Sequence, residues 1–232
     1  MKGYSMRGLV KYARGEGCVE VRDVAVPSPM PGQVKIAVKA AGICGSDIHI
    51  CHYRTSIPIH TPVVIGHELS GVVAEGGPGV ESVKEGDRVT TETAGSVCDR
   101  CVYCRTGRYN LCRERKGIGF WHDGAFASYL VVPEQRIHLL PENVDFKSAA
   151  LSEPLAVVVH GIMELATMKA GDLVLVSGAG PIRLLAAQVA RTQWDPRSAV
   201  RHRRRRPQVR ASEVAGLRRT HQCRRGGRSR TG

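Results

Sequence analysis

Every unit of net charge in this 232-residue chain lies in its last fifty residues. Residues 183–232 hold 15 Arg, no Lys and two acids, the whole formal charge of +13, while residues 1–182 balance 19 basic against 19 acidic side chains. The basic stretch also contains Pro196, Pro207, four consecutive arginines and very few large apolar residues. It cannot bury enough surface to offset the entropy of ordering its backbone, so 193–232 reads as a disordered Arg-rich tail and any core must come from earlier residues. The composition, 42% apolar and 24% charged, excludes a collagen-like or wholly disordered polymer. No run approaches eighteen apolar residues, and the opening MKGYSMRGLVKYARG lacks the apolar stretch of a secretory signal. The expectation is a cytoplasmic protein with no membrane partner. In that reducing setting, eight cysteines point to metal or redox chemistry rather than to a disulfide framework.

Residues 1–140 alternate in short segments, as at Val34, Ile36 and Val38, or at Val19, Val21 and Val24 with a slip, between Pro and Gly punctuation. This texture predicts a β-rich first domain. From Asp145 it changes. Pro154 suits a first helical turn, and LAVVVHGIMELA is apolar on more than one face, the pattern of a buried helix. Leu173 to Val176 then reads as a fully buried strand, followed by the turn Ser177-Gly178-Ala179-Gly180-Pro181 and a helical LLAAQVAR. The predicted layout is a domain over 1–150, an incomplete α/β nucleotide-binding domain over 151–192, and the tail.

Cys98, Cys101, Cys104 and Cys112 follow C-x2-C-x2-C-x7-C in a loop-like stretch. Four thiolates on one lobe can close a tetrahedron around zinc at about 2.3 Å each, leaving no open position, so such a site is structural. The competing reading is a set of ordinary small cysteines; a redox pair lacks its βαβ context. A second constellation joins Cys44-Gly45-Ser46-Asp47-x-His49 to Gly66-His67-Glu68-x2-Gly71-x5-Gly77-x2-Val80. A thiolate and an imidazole are suitable zinc ligands, and a carboxylate can supply a third. Taken as residues, Ser46 and Asp47 also suit the cap of a helix starting there. Cys51, His52, His60, His122 and His160 match no ligand position, and Phe120 and Trp121 suit either a pocket wall or core packing.

These segments, with the cysteine lobe and Glu153-Pro154, resemble the zinc-dependent medium-chain alcohol dehydrogenase family, particularly its sorbitol, butanediol and threonine dehydrogenase-like branch, over about residues 6–192. The resemblance implies a β-rich, GroES-like catalytic domain followed by the start of a Rossmann fold. It implies oxidation of a small-molecule secondary alcohol or polyol by hydride transfer to NAD or NADP, and allows a homo-oligomer. It implies one catalytic zinc on Cys44, His67 and Glu153, and one structural zinc on the four cysteines. Glu68 is the competing carboxylate and is counted with the catalytic residues. Ser46 and His49 would carry the proton from substrate to solvent, and Asp47 would hold the His67 tautomer.

Strand, Gly178-x-Gly180 and helix form the start of a dinucleotide unit, with Gly178, Gly180, Pro181 and Ile182 as the cofactor-binding turn. The third glycine of G-x-G-x-x-G is Arg183, whose side chain is expected to clash or swing outward, though its charge also suits phosphate. Residues 194–206 offer no credible strand and no terminal acid for the ribose. The switch to Arg without Lys motivates a frame change or truncation after about residue 192. Two alternatives follow from this: a zinc-binding fragment without turnover, and a nucleic-acid binder acting through the tail, which lacks interleaved aromatics.

Overall fold

The computed structural model describes residues 4–166, 174–193 and the backbone of 201–203. Expectations for the rest of the tail lie outside the described residues. The chain forms a first unit ending at Leu151 and a second beginning at Ser152. The first contains β1 (Ser5–Lys11), β2 (Val19–Ala25), β3 (Gln33–Gly42), α1 (Gly45–Cys51), β4 (Val63–Val64), β5 (Glu68–Gly76) and β6 (Arg88–Thr91). It continues through β7 (Ala94–Ser96), α2 (Val102–Arg105), β8 (Lys116–Gly117), β9 (Tyr129–Pro133), β10 (Ile137–Leu139) and α3 (Phe146–Ala149). The second contains α4 (Ser152–Val159), a π-helical turn (His160–Leu165), β11 (Leu175–Ser177), α5 (Pro181–Gln193) and β12 (Arg201–Arg203).

The first unit is built on a five-stranded antiparallel sheet in the order β10-β6-β5-β3-β9, beside a three-stranded sheet β2-β1-β4 and a short β7-β8 pair. The alternation read in β3 is real: Val34 and Ile36 are fully buried, and Val38 packs against the same cluster. Leu130 and Val132 of β9 and Leu69 and Val73 of β5 complete that cluster from the flanking strands. β2 is different. Val21 of this edge strand is 51% exposed.

The central strand β5 can lie close on β3 only because position 71 has no side chain. A Cβ on Gly71 would fall 2.3 Å from the Ala37 carbonyl oxygen and 2.7 Å from Ile36 Cγ2. Neither neighbour can retreat without opening the ladder.

In the second unit, described by itself, three expectations are corrected. The buried helix of 155–166 is instead α4 followed by a π turn, with Pro154 and Val158 buried but Val157 53% and Leu165 71% exposed. The strand runs over Leu175–Ser177, with Val176 buried and Leu175 exposed; Leu173 lies outside the described residues. Finally, Arg201–Arg203 does form a strand, pairing in parallel with β11 from Leu175↔Arg201 to Ser177↔Arg203. Backbone groups at a sheet edge accept a partner of any composition, so the absence of apolar residues did not exclude it.

Gly71→Ala is expected to destabilise by about 2–4 kcal/mol through overpacking, read as a lowered urea midpoint. Gly161→Ala, where an added Cβ meets nothing within 4 Å, is expected to be neutral or slightly stabilising.

Candidate metal centre

The β3–β5 ladder ends with Gly42 opposite Glu68. Cys44, two residues past β3, is thereby brought to His67, the residue before β5. One ligand atom from each of Cys44, His67 and Glu68 lies within 4.8 Å of the other two, with His67 and Glu68 buried and Cys44 half-buried. Adjacent strand residues normally face opposite ways, but His67 lies just before the strand that Glu68 begins. Here Gly66, at φ +95°, turns the chain just before the strand. A Cβ there would strike the Phe126 ring at 2.7 Å, so only glycine lets the loop carry His67 inward. Glu68 lies back across β3: a Cβ on Gly42 would meet its Oε2.

Cys44 is the N-cap of α1, in extended conformation, and Asp47 is the third residue of the helix. The Cys44 N–H donates to Asp47 Oδ2 at 2.9 Å, while Asp47 Oδ1 stands 3.7 Å from His67 Nδ1. Asp47 therefore caps the helix and also faces the imidazole, so the two readings of this residue are one arrangement. It is 2% exposed, and burial raises its carboxyl above the usual range, opposed by the Cys44 N–H and His67. Burial likewise raises Glu68. The Cys44 thiol goes the other way: hydrogen bonding with His67 lowers it, against burial. Phe120 closes one side, its ring centroid 5.8 Å from that of His67.

Ser46 and His49 lie three residues apart on α1, which places them on neighbouring positions of one helical face. Ser46 Oγ is buried beside the Cys44 thiol, which it helps to lower, and His49 is exposed in the last turn. Glu153 stands in the first turn of α4, in the second unit. Phe120 belongs to the core with Ile50, Val63 and Ile65, and Trp121 packs against that cluster while stacking on His60 at 5.7 Å. The remaining histidines have local partners: His52 meets Glu16, His122 meets Ser96 and His160 meets Glu164. The ring of Phe126 under Gly66 carries no signal in the sequence.

The four cysteines also converge, their sulfurs all within 4.8 Å of one another. Asp99, at φ +56°, makes the tight turn that brings the Cys101 N–H to Cys98 Sγ at 3.4 Å. Cys101 then caps α2 and receives the Cys104 N–H. Backbone N–H groups of Arg100 and Cys101 lower the Cys98 thiol to about 7, whereas Cys104 is pushed up by burial and by its sulfur neighbours.

Residues 30–142 match the alcohol dehydrogenase GroES-like domain. The chain is 49% identical over 187 residues to a sorbitol dehydrogenase of Halalkalibacterium halodurans, covering 81% of this chain and 54% of that protein. It is 42% identical to an L-threonine 3-dehydrogenase of Pyrococcus furiosus, covering 74% and 49%. A zinc-binding dehydrogenase from Sinorhizobium meliloti 1021, solved with NADP, superposes with a TM-score of 0.77 at 36% identity, over 85% of this chain and 56% of that one. The chain belongs to the zinc-type medium-chain alcohol dehydrogenase family. It spans about half the length of the curated dehydrogenases it matches.

In the second unit, β11, the turn with Gly178 at φ +108° and α5 from Pro181 follow one another as strand, glycine turn and helix. Arg183 neither clashes nor swings outward: its side chain lies back across Gly178.

Asp47→Ala is expected to cost the metal-free protein about 1–3 kcal/mol, by orphaning the buried Cys44 N–H. Asp47→Asn should recover most of that in urea unfolding, since an amide oxygen accepts the same bond.

Proposed function

We propose that this chain is a zinc-dependent oxidoreductase of the alcohol and polyol dehydrogenase type, whose reaction is oxidation of a secondary alcohol with NAD or NADP as hydride acceptor. The observation that carries the reading is the convergence of Cys44, His67 and Glu68 on one point at the end of the β3–β5 ladder. A soft thiolate, an imidazole and a carboxylate are a zinc donor set that leaves a tetrahedral position open. Glu68 is the carboxylate of that set, and Glu153 is retained as the alternative ligand. The four cysteines fit a second, closed structural zinc. When bound in the open site, the metal supplies Lewis-acid polarisation of an alcohol hydroxyl near neutral pH.

The chain's own residues do the rest. Asp47 Oδ1 faces the His67 ring from the Nδ1 side at 3.7 Å, which favours Nε2 as the ligating nitrogen. The buried Ser46 hydroxyl lies beside the Cys44 thiol, in place to meet a substrate oxygen there, and exposed His49 further along the helix opens the route to water. Phe120 and the neighbouring core exclude water from the His67 side.

The nucleotide turn has the backbone for a dinucleotide but, with Arg183 across Gly178, does not fit one as it stands, and no step is derived through it. That observation favours, as the second reading, a zinc-binding domain without turnover.

Purified protein is expected to contain two zinc ions per chain by elemental analysis. Cys104→Ser and His67→Ala should each remove one, and a well-folded protein without zinc would overturn the reading. With turnover present, Ser46→Ala should leave zinc content unchanged while lowering kcat about 10²-fold or more.

A further inference from the structure

In a dinucleotide-binding turn, glycines have one task at the point of closest approach: they keep side-chain atoms off the backbone so that a pyrophosphate can reach it. Gly178 meets that requirement in itself, with φ +108° and no Cβ. The space it leaves is nevertheless taken. At the place where a Cβ of Gly178 would stand, Arg183 Cδ is 2.6 Å away, Nε 2.7 Å and Cζ 2.9 Å. The guanidinium continues over the second glycine, with Nη1 3.5 Å from the corresponding point on Gly180. Pro181 brings no N–H to the first turn of α5, and the N–H groups of Arg183 and Leu184 are both directed to the Gly180 carbonyl at 3.0 Å. Both the steric clearance and part of the backbone donor capacity are thus used up inside the turn.

We propose that Arg183 is a removable plug of the nucleotide turn, occupying the surface of Gly178 and Gly180 that the pyrophosphate of NAD or NADP would otherwise reach. It is removable because the side chain is exposed and, among the described residues, no carboxylate pairs with it. Dinucleotide binding therefore requires Arg183 to leave, and the apparent dissociation constant is the intrinsic one divided by the uncovered fraction. An uncovered fraction of about one in ten corresponds to about tenfold weaker binding.

The inference rests on the dehydrogenase reading, but its test reads binding alone. NADH and NADPH are titrated by calorimetry into the full-length zinc-loaded chain and into its Arg183→Gly and Arg183→Ala variants. Zinc content and circular dichroism are recorded for each. The alanine variant preserves helix propensity, so a folding defect of the glycine variant does not decide the outcome. Both variants are expected to bind about tenfold or more tightly than the unsubstituted chain. Unchanged binding, weaker binding, which would make Arg183 a phosphate ligand, or no binding by any of the three would overturn the proposal. Two zincs with no gain in binding would reject the plug and leave the metal reading intact.

Discussion

The antiparallel ladder between β3 and β5 is the constraint on which the metal centre depends. Its register runs from Val34↔Gly76 to Gly42↔Glu68, with two irregularities on the way. A slip of one residue would move every side chain of β5 to the other face. It would also separate the Cys44 cap from His67, which are some twenty residues apart in sequence and meet only where the two strands end together. Gly71 permits the close approach of the strands, and Val34, Ile36, Leu69 and Val73 fix the register by burial. The geometry of the donor set is therefore a consequence of core packing rather than of local loop preference.

Burying this cluster has an electrostatic consequence. Asp47, His67 and Glu68 are each under a tenth exposed, and burial pushes both carboxyls up. Gathering two carboxylates and a thiol around one imidazole is unfavourable unless positive charge is present between them. A divalent cation, as in the proposed function, would supply that charge. The polar residues thus make sense as a set completed by a metal, and the short helix α1 provides the frame in which Asp47 serves the backbone and the imidazole together.

Much of this was legible in the sequence, for reasons that differ by element. The convergence of the four cysteines was readable from their spacing, and Asp99 accepts the turn between the first two. Alternation in β3 was readable because Val34 and Ile36 are buried on one face while their neighbours are not. Both carboxylates were named from the sequence: Glu68 lies beside Cys44 and His67, and Glu153 stands in α4 of the second unit. The strand at Arg201–Arg203 was missed because edge pairing uses backbone groups that composition does not report.

The second unit marks the limit of reading burial from patterning. Its helical and strand segments carry apolar residues on several faces, as elements covered from more than one side do. Yet Val157, Met163, Leu165, Leu175 and Leu184 are each between 47% and 71% exposed. The pattern was read correctly as chemistry and wrongly as burial, since hydrophobicity states what a residue gains from cover and the rest of the fold determines whether cover is there. Arg183 follows the same logic from the polar side. At the position where the dinucleotide pattern has its third glycine, the long Arg183 side chain lies back along the glycine turn.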